Sequence, residues 1–103
     1  MNYQVIISEV AEDDMVSIGQ YISNELHAPD AAANLLDEMD KQILSLEQIP
    51  NRFSIVSDEG LARRGIRSIP VKNYLVFYVV DEATKTVIIA RVLYSKRNWI
   101  YLL

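Results

Sequence analysis

Two runs of apolar residues dominate the pattern of the C-terminal half of the chain. The first, Tyr74 to Val80, holds seven apolar residues, and the second, Thr86 to Tyr94, has the same β-branched and aromatic character. Residues of these types favour β-strands. Because the polar segment DEATK that separates the runs is short, the pattern predicts two strands folded into an antiparallel hairpin.

Two shorter runs predict further strands. Asn2 to Ser8, NYQVIIS, is a β-type run with enough apolar residues to lie within a sheet. Ile66 to Val71, IRSIPV, alternates well enough for a strand, but Pro70 lacks a backbone N–H and restricts it to an edge or a bulge. After the hairpin, Asn98 to Leu103 form a short apolar tail that we expect to close the core.

Helical spacing governs the segment between the first two predicted strands. Five apolar residues recur three or four positions apart and predict helix one: Ala11, Met15, Ile18, Ile22 and Leu26. Ser8 is the predicted N-cap of this helix. A second stripe follows Pro29, stops before Pro50 and predicts helix two: Ala32, Leu35, Leu36, Met39, Ile43 and Leu46. The short connection predicts that the two helices lie antiparallel.

These elements predict one α+β domain over residues 1–103. An N-terminal strand is followed by an antiparallel two-helix hairpin and then by a three-stranded antiparallel meander. The strands are expected to form one antiparallel sheet that the helices cover on one face. Residues 51–65 show no clear period and are predicted to be a surface excursion, so the other face, or the rim beside Arg97, is expected to be open.

Charge divides the chain into two halves of opposite sign. Residues 1–50 hold ten acidic residues and one basic residue, a net charge of −9, whereas residues 51–103 hold nine basic and four acidic residues, a net charge of +5. The sum is −4. This segregation leaves a local positive field that attracts phosphates. Two solvated helices followed by an edge-protected sheet would give the same division.

Composition excludes several classes of function. With no cysteine and one histidine, the chain lacks the ligands of a zinc site, and its carboxylates show no calcium-loop spacing, so neither a metal nor a cofactor is predicted. The lack of cysteine suits the reducing cytoplasm. No apolar run approaches the roughly 20 residues of a membrane span, and the first basic residue is Lys41, so neither a membrane segment nor a signal peptide is expected.

Basic and aromatic residues interleave in the C-terminal half. Arginine forks match phosphate oxygens and aromatic faces stack on unpaired bases, so this mixture favours phosphate handling. In RNA cleavage without a metal, Arg67 or Arg91 would stabilise the charge of the transition state, and Lys96 or Tyr101 would supply acid–base chemistry. The alternative is structural, because arginines on strands often pair with acids and tyrosines of a small sheet often lie in its core.

The order of elements and several motifs resemble the RelE/ParE superfamily of toxins from bacterial type II toxin–antitoxin, or plasmid stabilisation, systems. The residues that carry the resemblance are Ile22, Leu26, Pro29, Ala32, Leu46, Pro50 and Arg67, the run NYLVFYVVDE from Asn73 to Glu82, and the ending RVLYSKRNW from Arg91 to Trp99. The resemblance covers nearly the whole chain. It implies a growth-inhibitory protein that an antitoxin neutralises within a toxin–antitoxin hetero-oligomer.

The superfamily has two well-known branches: RelE-like toxins cleave messenger RNA in the ribosomal A site, and ParE-like toxins inhibit DNA gyrase. This chain departs from the nuclease pattern, because Leu75 follows Tyr74 where an arginine is common and Tyr94–Ser95 stand where a catalytic arginine or histidine is expected. Arg97 and Tyr101 match the later arginine and terminal tyrosine of the nucleases. The resemblance therefore favours gyrase inhibition. The alternatives are a ribosome-dependent endoribonuclease and a non-toxic relative that only binds its antitoxin.

Three sets of residues are assigned on this basis. The candidate catalytic residues, if the chain is a nuclease, are Arg67, Arg91, Lys96, Arg97 and Tyr101. The residues predicted to bind the target, either gyrase or the ribosome with its mRNA, are Arg91, Tyr94, Lys96, Arg97 and Trp99. The apolar residues predicted to bind the antitoxin at the open rim are Ile100, Leu102 and Leu103.

Overall fold

Four strands form one open sheet in the computed structural model, which describes residues 2–103. The strands are β1 (Gln4–Ile7), β2 (Arg67–Val71), β3 (Tyr74–Asp81) and β4 (Thr86–Tyr94), and they lie in the order β1–β4–β3–β2. The helices are α1 (Glu9–Gln20), α2 (Pro29–Ser45) and α3 (Glu59–Arg63). A π-helical turn, Tyr21–Glu25, follows α1, and a 3₁₀ turn, Trp99–Leu102, follows β4. The predicted α+β order is confirmed.

The β3–β4 hairpin occupies the centre of the sheet. Tyr74 lies opposite Tyr94, and Asp81 lies opposite Thr86, with one bulge midway along the pairing. The observed strands agree with the predicted ones to within one residue at each end. β2 pairs antiparallel with β3 at the edge of the sheet, which is the position that Pro70 predicted.

The N-terminal strand departs from the expected antiparallel sheet. β1 pairs parallel with β4, from Gln4 beside Thr86 to Ile7 beside Ile89, so the sheet is mixed. Parallel neighbours need a crossover connection, which here consists of the helices and two further strands. The direction of β1 relative to β4 depends on that whole path, and no local sequence pattern reports it.

The helices α1 and α2 cover one face of the sheet. Ser8 caps α1 as predicted, because its Oγ accepts a hydrogen bond from the backbone N–H of Ala11 at 3.1 Å. α2 begins at Pro29, and its buried residues match the predicted stripe: Ala32, Leu35, Met39 and Ile43. α1 ends at Gln20, before the predicted stripe does, and Leu26 is 55% exposed. The π turn has wider hydrogen-bond spacing than an α-helix, which rotates the residues after it off the stripe.

The second face of the sheet is partly covered too, contrary to the predicted open face. Residues from segment 53–66 and from β3 and β4 form a second core cluster: Val56, Leu61, Ile66, Phe77 and Leu93. The C-terminal turn packs against it. Within the predicted surface excursion, Asp58 caps α3 by accepting a hydrogen bond from the N–H of Leu61 at 3.0 Å. The apolar residues of this segment are too sparse in sequence to reveal a period.

The packing of Trp99 supplies a test of this second cluster. Trp99 is half-buried, and its ring lies 5.0 Å from the ring of Phe77, measured between centroids. We expect Trp99→Ala to lower the free energy of unfolding by about 2 to 3 kcal/mol, less than for a fully buried tryptophan. Tyr101 is 85% exposed, so Tyr101→Ala should cost under about 0.5 kcal/mol. Urea denaturation followed by circular dichroism measures both, and equal losses would contradict the packing role of Trp99.

Candidate functional site

The β2–β3 turn and the residues after β4 meet at one end of the sheet. The backbone N–H of Ser95 donates to the carbonyl of Asn73 at 2.8 Å and joins the two segments. Lys72, Lys96 and Arg97 adjoin these residues in sequence and are exposed. Within residues 2–103, none of their side chains takes part in a salt bridge. We call these three residues the cationic rim.

Arg91, predicted to contact the target or a reacting phosphate, is engaged inside the protein. Its guanidinium donates to the carboxylate of Asp14 in α1, from Nε at 2.8 Å and from Nη2 at 2.9 Å. Its Nη1 donates to the carbonyl of Leu102 at 3.1 Å. The side chains of Arg91 and Asp14 are only 21% and 13% exposed. The hydrogen-bonded carboxylate of Asp14 raises the pKa of Arg91 above its usual value. The three hydrogen bonds that Arg91 donates within the protein favour a structural role for this arginine.

The Asp14 carboxylate has a further partner in β4. Its Oδ2 accepts a hydrogen bond from the backbone N–H of Val92 at 2.9 Å. β1 pairs with β4 only as far as Ile89, so this N–H lies on an edge that β1 does not reach. Asp14 is not among the residues predicted from the sequence, although its spacing carries a signal. Asp14 follows Ala11 by three residues and precedes Ile18 by four, so helical spacing places it on the buried side of α1.

Arg67 is engaged internally as well. Its Nη1 donates to the carbonyl of Phe53 at 2.6 Å, which holds segment 50–56 against β2. Nearby, the buried Tyr78 donates its hydroxyl to the carbonyl of Pro50 at 2.6 Å. Burial raises the pKa of Tyr78, and the positive charge of Arg67 partly offsets that rise. These two contacts anchor the segment that leads into α3.

The C-terminal turn divides the remaining predicted site residues into packed and exposed ones. Trp99, Leu102 and Leu103 pack against the second core cluster. Ile100 and Tyr101 face outward, with exposures of 43% and 85%. Of the predicted antitoxin-binding residues, Ile100 therefore offers the most surface.

An open groove of about 700 Å³ lies beside the cationic rim, between the helical layer and the ends of β3 and β4. Its aromatic lining consists of Tyr21, Tyr74 and Tyr94, and Lys72 lines it too. The rings of Tyr74 and Tyr94 meet edge to face with centroids 5.8 Å apart. Burial raises the pKa of Tyr74, and the neighbouring tyrosines raise it further. We call this feature the tyrosine groove.

Tyr94 is among the predicted target-binding residues, whereas Tyr21 and the groove itself were not predicted from the sequence. Tyr21 begins the π turn and is 53% exposed. Single π turns within helices occur frequently at functional sites. The apolar stripe of helix one runs through this segment without interruption, so the sequence carried no signal of the turn.

This end of the molecule combines the positive charge of the cationic rim with the apolar surface of the tyrosine groove. Of the five candidate catalytic residues, three are exposed: Lys96, Arg97 and Tyr101. In the described part of the chain, no three His, Cys, Asp or Glu side chains gather as a metal site requires. No helix formed by residues 2–103 has the length and apolar character needed to cross a bilayer. The arrangement suits the binding of a negatively charged or mixed apolar and acidic surface.

Comparison with known families gives a match over most of the chain. The family described as "ParE toxin of type II toxin-antitoxin system, parDE" matches residues 5–99. No curated protein matches the chain.

Solved structures from toxin–antitoxin systems share the fold. A chain from the chromosomal ParDE system of P. aeruginosa has a TM-score of 0.74 at 18% identity, covering 91% of this chain and 97% of that one. A chain of the RelBE2 toxin–antitoxin complex from Mycobacterium tuberculosis has a TM-score of 0.62 at 23% identity, with coverages of 91% and 99%. A mutant of the E. coli toxin RelE in the free state has a TM-score of 0.69 at 15% identity, with coverages of 99% and 93%.

Removal of the Asp14 carboxylate tests its structural role. We expect Asp14→Ala to lower the free energy of unfolding by about 2 kcal/mol, because the partly buried guanidinium of Arg91 and the N–H of Val92 lose their acceptor. Asp13 is the neighbouring residue and is exposed, so Asp13→Ala should change the free energy of unfolding by less than about 0.5 kcal/mol. Urea denaturation of both variants measures the difference.

The pairing itself is tested by combining Asp14→Ala with Arg91→Ala. We expect the double variant to lose about 1 kcal/mol less than the sum of the two single variants, since each single change already breaks the ion pair. Strictly additive losses in the same denaturation experiment would contradict the pairing.

Proposed function

Because the chain belongs to the ParE toxin family of type II toxin–antitoxin systems, we propose that it inhibits DNA gyrase and is neutralised by a cognate antitoxin. The family match over residues 5–99 carries this proposal. The role of toxin in a type II toxin–antitoxin system follows from membership of the family. That gyrase is the target does not follow from family membership and is our proposal.

The contacts of the two central arginines support an inhibitor that acts by binding. RNA cleavage without a metal needs a cation free to approach the phosphate in its transition state. Arg67 and Arg91 both donate to partners within the protein, at Phe53 and at Asp14. Redirecting either guanidinium to a substrate would leave a partly buried acceptor unpaired, which typically costs 1 to 3 kcal/mol.

We assign contact with the target to those of the predicted target-binding residues that are exposed. Tyr94 is 40% exposed and borders the tyrosine groove, and Lys96 and Arg97 belong to the cationic rim. Positive charge of this kind attracts the phosphates of gyrase-bound DNA or an acidic protein surface. Arg91 and Trp99, which the sequence placed in the same set, hold the turn in position through Leu102 and Phe77.

A supercoiling assay with purified gyrase and relaxed plasmid tests the proposal. We expect the protein to abolish supercoiling or to accumulate cleaved DNA, and we expect prior addition of the antitoxin to prevent either effect. Full supercoiling without cleaved DNA at a large molar excess of the protein would overturn gyrase as the target.

A ribosome-dependent endoribonuclease is the second candidate. The observation that favours it is the exposure of two cations and a phenol near one another in sequence, at Lys96, Arg97 and Tyr101. Mapping of transcript ends after induction separates the two activities. New cleavage sites within messenger RNA would support the nuclease, and intact messenger RNA in cells that stop growing would exclude it.

An antitoxin partner is proposed from the same relatives. The P. aeruginosa and M. tuberculosis structures come from toxin–antitoxin systems, and the latter is a complex. This chain exposes apolar surface at Ile100 and along the tyrosine groove, which a partner would cover. Expression without the partner should arrest growth. Unimpaired growth would favour the third alternative, a non-toxic relative that retains only antitoxin binding.

The cationic rim supplies a variant that separates function from stability. We expect Lys96→Ala combined with Arg97→Ala to raise the concentration needed for half-inhibition of supercoiling by about tenfold, because two charges facing the target are lost. Neither residue is buried, so the melting temperature should stay within about 2 °C. Lys41→Ala is the control, since Lys41 is an exposed lysine on α2 away from the rim. Equal inhibition by both proteins would remove the rim from the target interface.

A further inference from the structure

The strand β1 leaves one of its backbone edges without a partner. The N–H of Gln4 donates to the carbonyl of Lys85 at 2.9 Å, and the N–H of Ser8 donates to the carbonyl of Ile89 at 3.0 Å. Because backbone groups alternate along a strand, the N–H and C=O groups of Val5 and Ile7 point away from β4. Within residues 2–103, no strand lies on that side of β1.

The opposite edge of the sheet is protected in ways that β1 is not. In β2, Pro70 has no N–H to offer to a further strand. Ile55 forms a bridge with Arg67, and the N–H of Val56 donates to the carbonyl of Ile66 at 2.9 Å, so segment 55–56 covers that edge. β1 carries neither device, which leaves it the edge available for pairing.

An open groove of about 480 Å³ runs beside the free edge, between β1 and the C-terminal half of α2. The apolar residues that line it include Val5, Ile7, Ile43 and Leu44, of which Leu44 is 59% exposed. The charged residues that line it, Asp40 and Glu47, are both acidic. The N–H of Tyr3 donates to the carbonyl of Glu47 at 2.8 Å, which closes the edge at its N-terminal end and leaves the rest open.

We propose that the outer edge of β1 binds an extended strand of the antitoxin that turns both apolar and basic side chains toward this groove. This proposal rests on the proposed function, which supplies the antitoxin. The backbone of the added strand would pair with Val5 and Ile7. Every second side chain of a strand points to the same face, so the positions that face the groove would carry apolar residues beside Leu44 and basic residues beside Asp40 and Glu47. Backbone pairing supplies affinity in such strand addition, and the groove supplies specificity.

The acidic residues of the groove favour an antitoxin strand over a second copy of the chain as the occupant. Two copies paired through β1 would bring two sets of Asp40 and Glu47 to one interface, where like charges repel. The first half of the chain, which contains β1 and α2, carries a net charge of −9. A basic strand would neutralise the acidic residues of the groove, whereas a second copy would add an equal number of acidic residues.

Amide NMR with a defined probe tests the proposal without the antitoxin. The probe is a six-residue peptide with blocked ends in which lysine, valine and lysine take every second position and threonine takes the others, so that these three residues face one side of the strand. Its counterpart with glutamate in place of lysine is the control. We expect the lysine peptide to slow hydrogen exchange at the amides of Val5 and Ile7 and to leave Gln4 and Ser8, which are already bonded to β4, unchanged. Equal binding of both peptides, or protection elsewhere without protection of Val5 and Ile7, would overturn it.

Charge reversal in the groove gives the second arm of the experiment. We expect Asp40→Lys combined with Glu47→Lys to weaken binding of the lysine peptide by about tenfold, because two attractions become repulsions. Glu12→Lys combined with Asp13→Lys makes the same change of charge at exposed positions of α1 outside the groove and should leave binding within about twofold. Equal weakening in both double variants would show general attraction to an acidic protein and would overturn the site.

The two proposals fail separately in these experiments. Peptide binding is measured on the free protein alone, whereas inhibition and its neutralisation are measured in the supercoiling assay and in cells. If the antitoxin neutralises the protein but no peptide reaches β1, the edge proposal fails and the toxin role stands. If the free protein leaves growth unimpaired, the proposed inhibition fails whatever the peptide does.

Discussion

The ion pair between Asp14 and Arg91 joins the three parts of the molecule on which its functional end depends. Asp14 belongs to α1 and Arg91 to β4, and the same guanidinium holds the C-terminal turn through the carbonyl of Leu102. Exposed ion pairs contribute little to stability, but this pair is largely shielded from water, and Asp14 also accepts the N–H of Val92. The ion pair therefore fixes the positions of α1, β4 and the C-terminal turn relative to one another. These positions determine where the cationic rim lies.

Internal contacts also explain why few basic residues of the second half of the chain are free to bind a ligand. Six of its nine basic residues donate to partners within the protein: Arg52, Arg63, Arg64, Arg67, Lys85 and Arg91. The three others are the cationic rim. Arg63, Lys85 and Arg91 are paired with acids, whereas Arg52, Arg64 and Arg67 donate to backbone oxygens or uncharged side chains and keep their positive charge. The cations of residues 51–103 whose side chains have no internal hydrogen-bond partner lie at one end of the β3–β4 hairpin. A ligand at that end therefore meets cations that can bind it without breaking an internal hydrogen bond of their own side chains.

Local patterns predicted the elements whose causes are local. The β3–β4 hairpin, the cap at Ser8 and the start of α2 at Pro29 each depend on a few neighbouring residues, and each is confirmed. The parallel pairing of β1, the cover over the second face and the engagement of Arg91 depend on contacts between distant segments. No period or motif encodes such contacts. Strand position predicted that Tyr94 and Arg97 lie at one end of the sheet, but not which cations lack an internal partner.

Charge placement along α2 has a consequence for any partner that covers both grooves. Ala31 in the N-terminal part of α2 lines the tyrosine groove together with Lys72, whereas Leu44 near its C-terminal end lines the groove beside β1 together with Asp40 and Glu47. The charged residue that lines the first groove is a lysine, whereas those that line the second are acidic. A partner chain with the opposite order of charge fits in one direction along α2, and the reverse direction juxtaposes like charges at both ends. The net charge of −4 hides this polarity, which depends on where the charges lie and not on their sum.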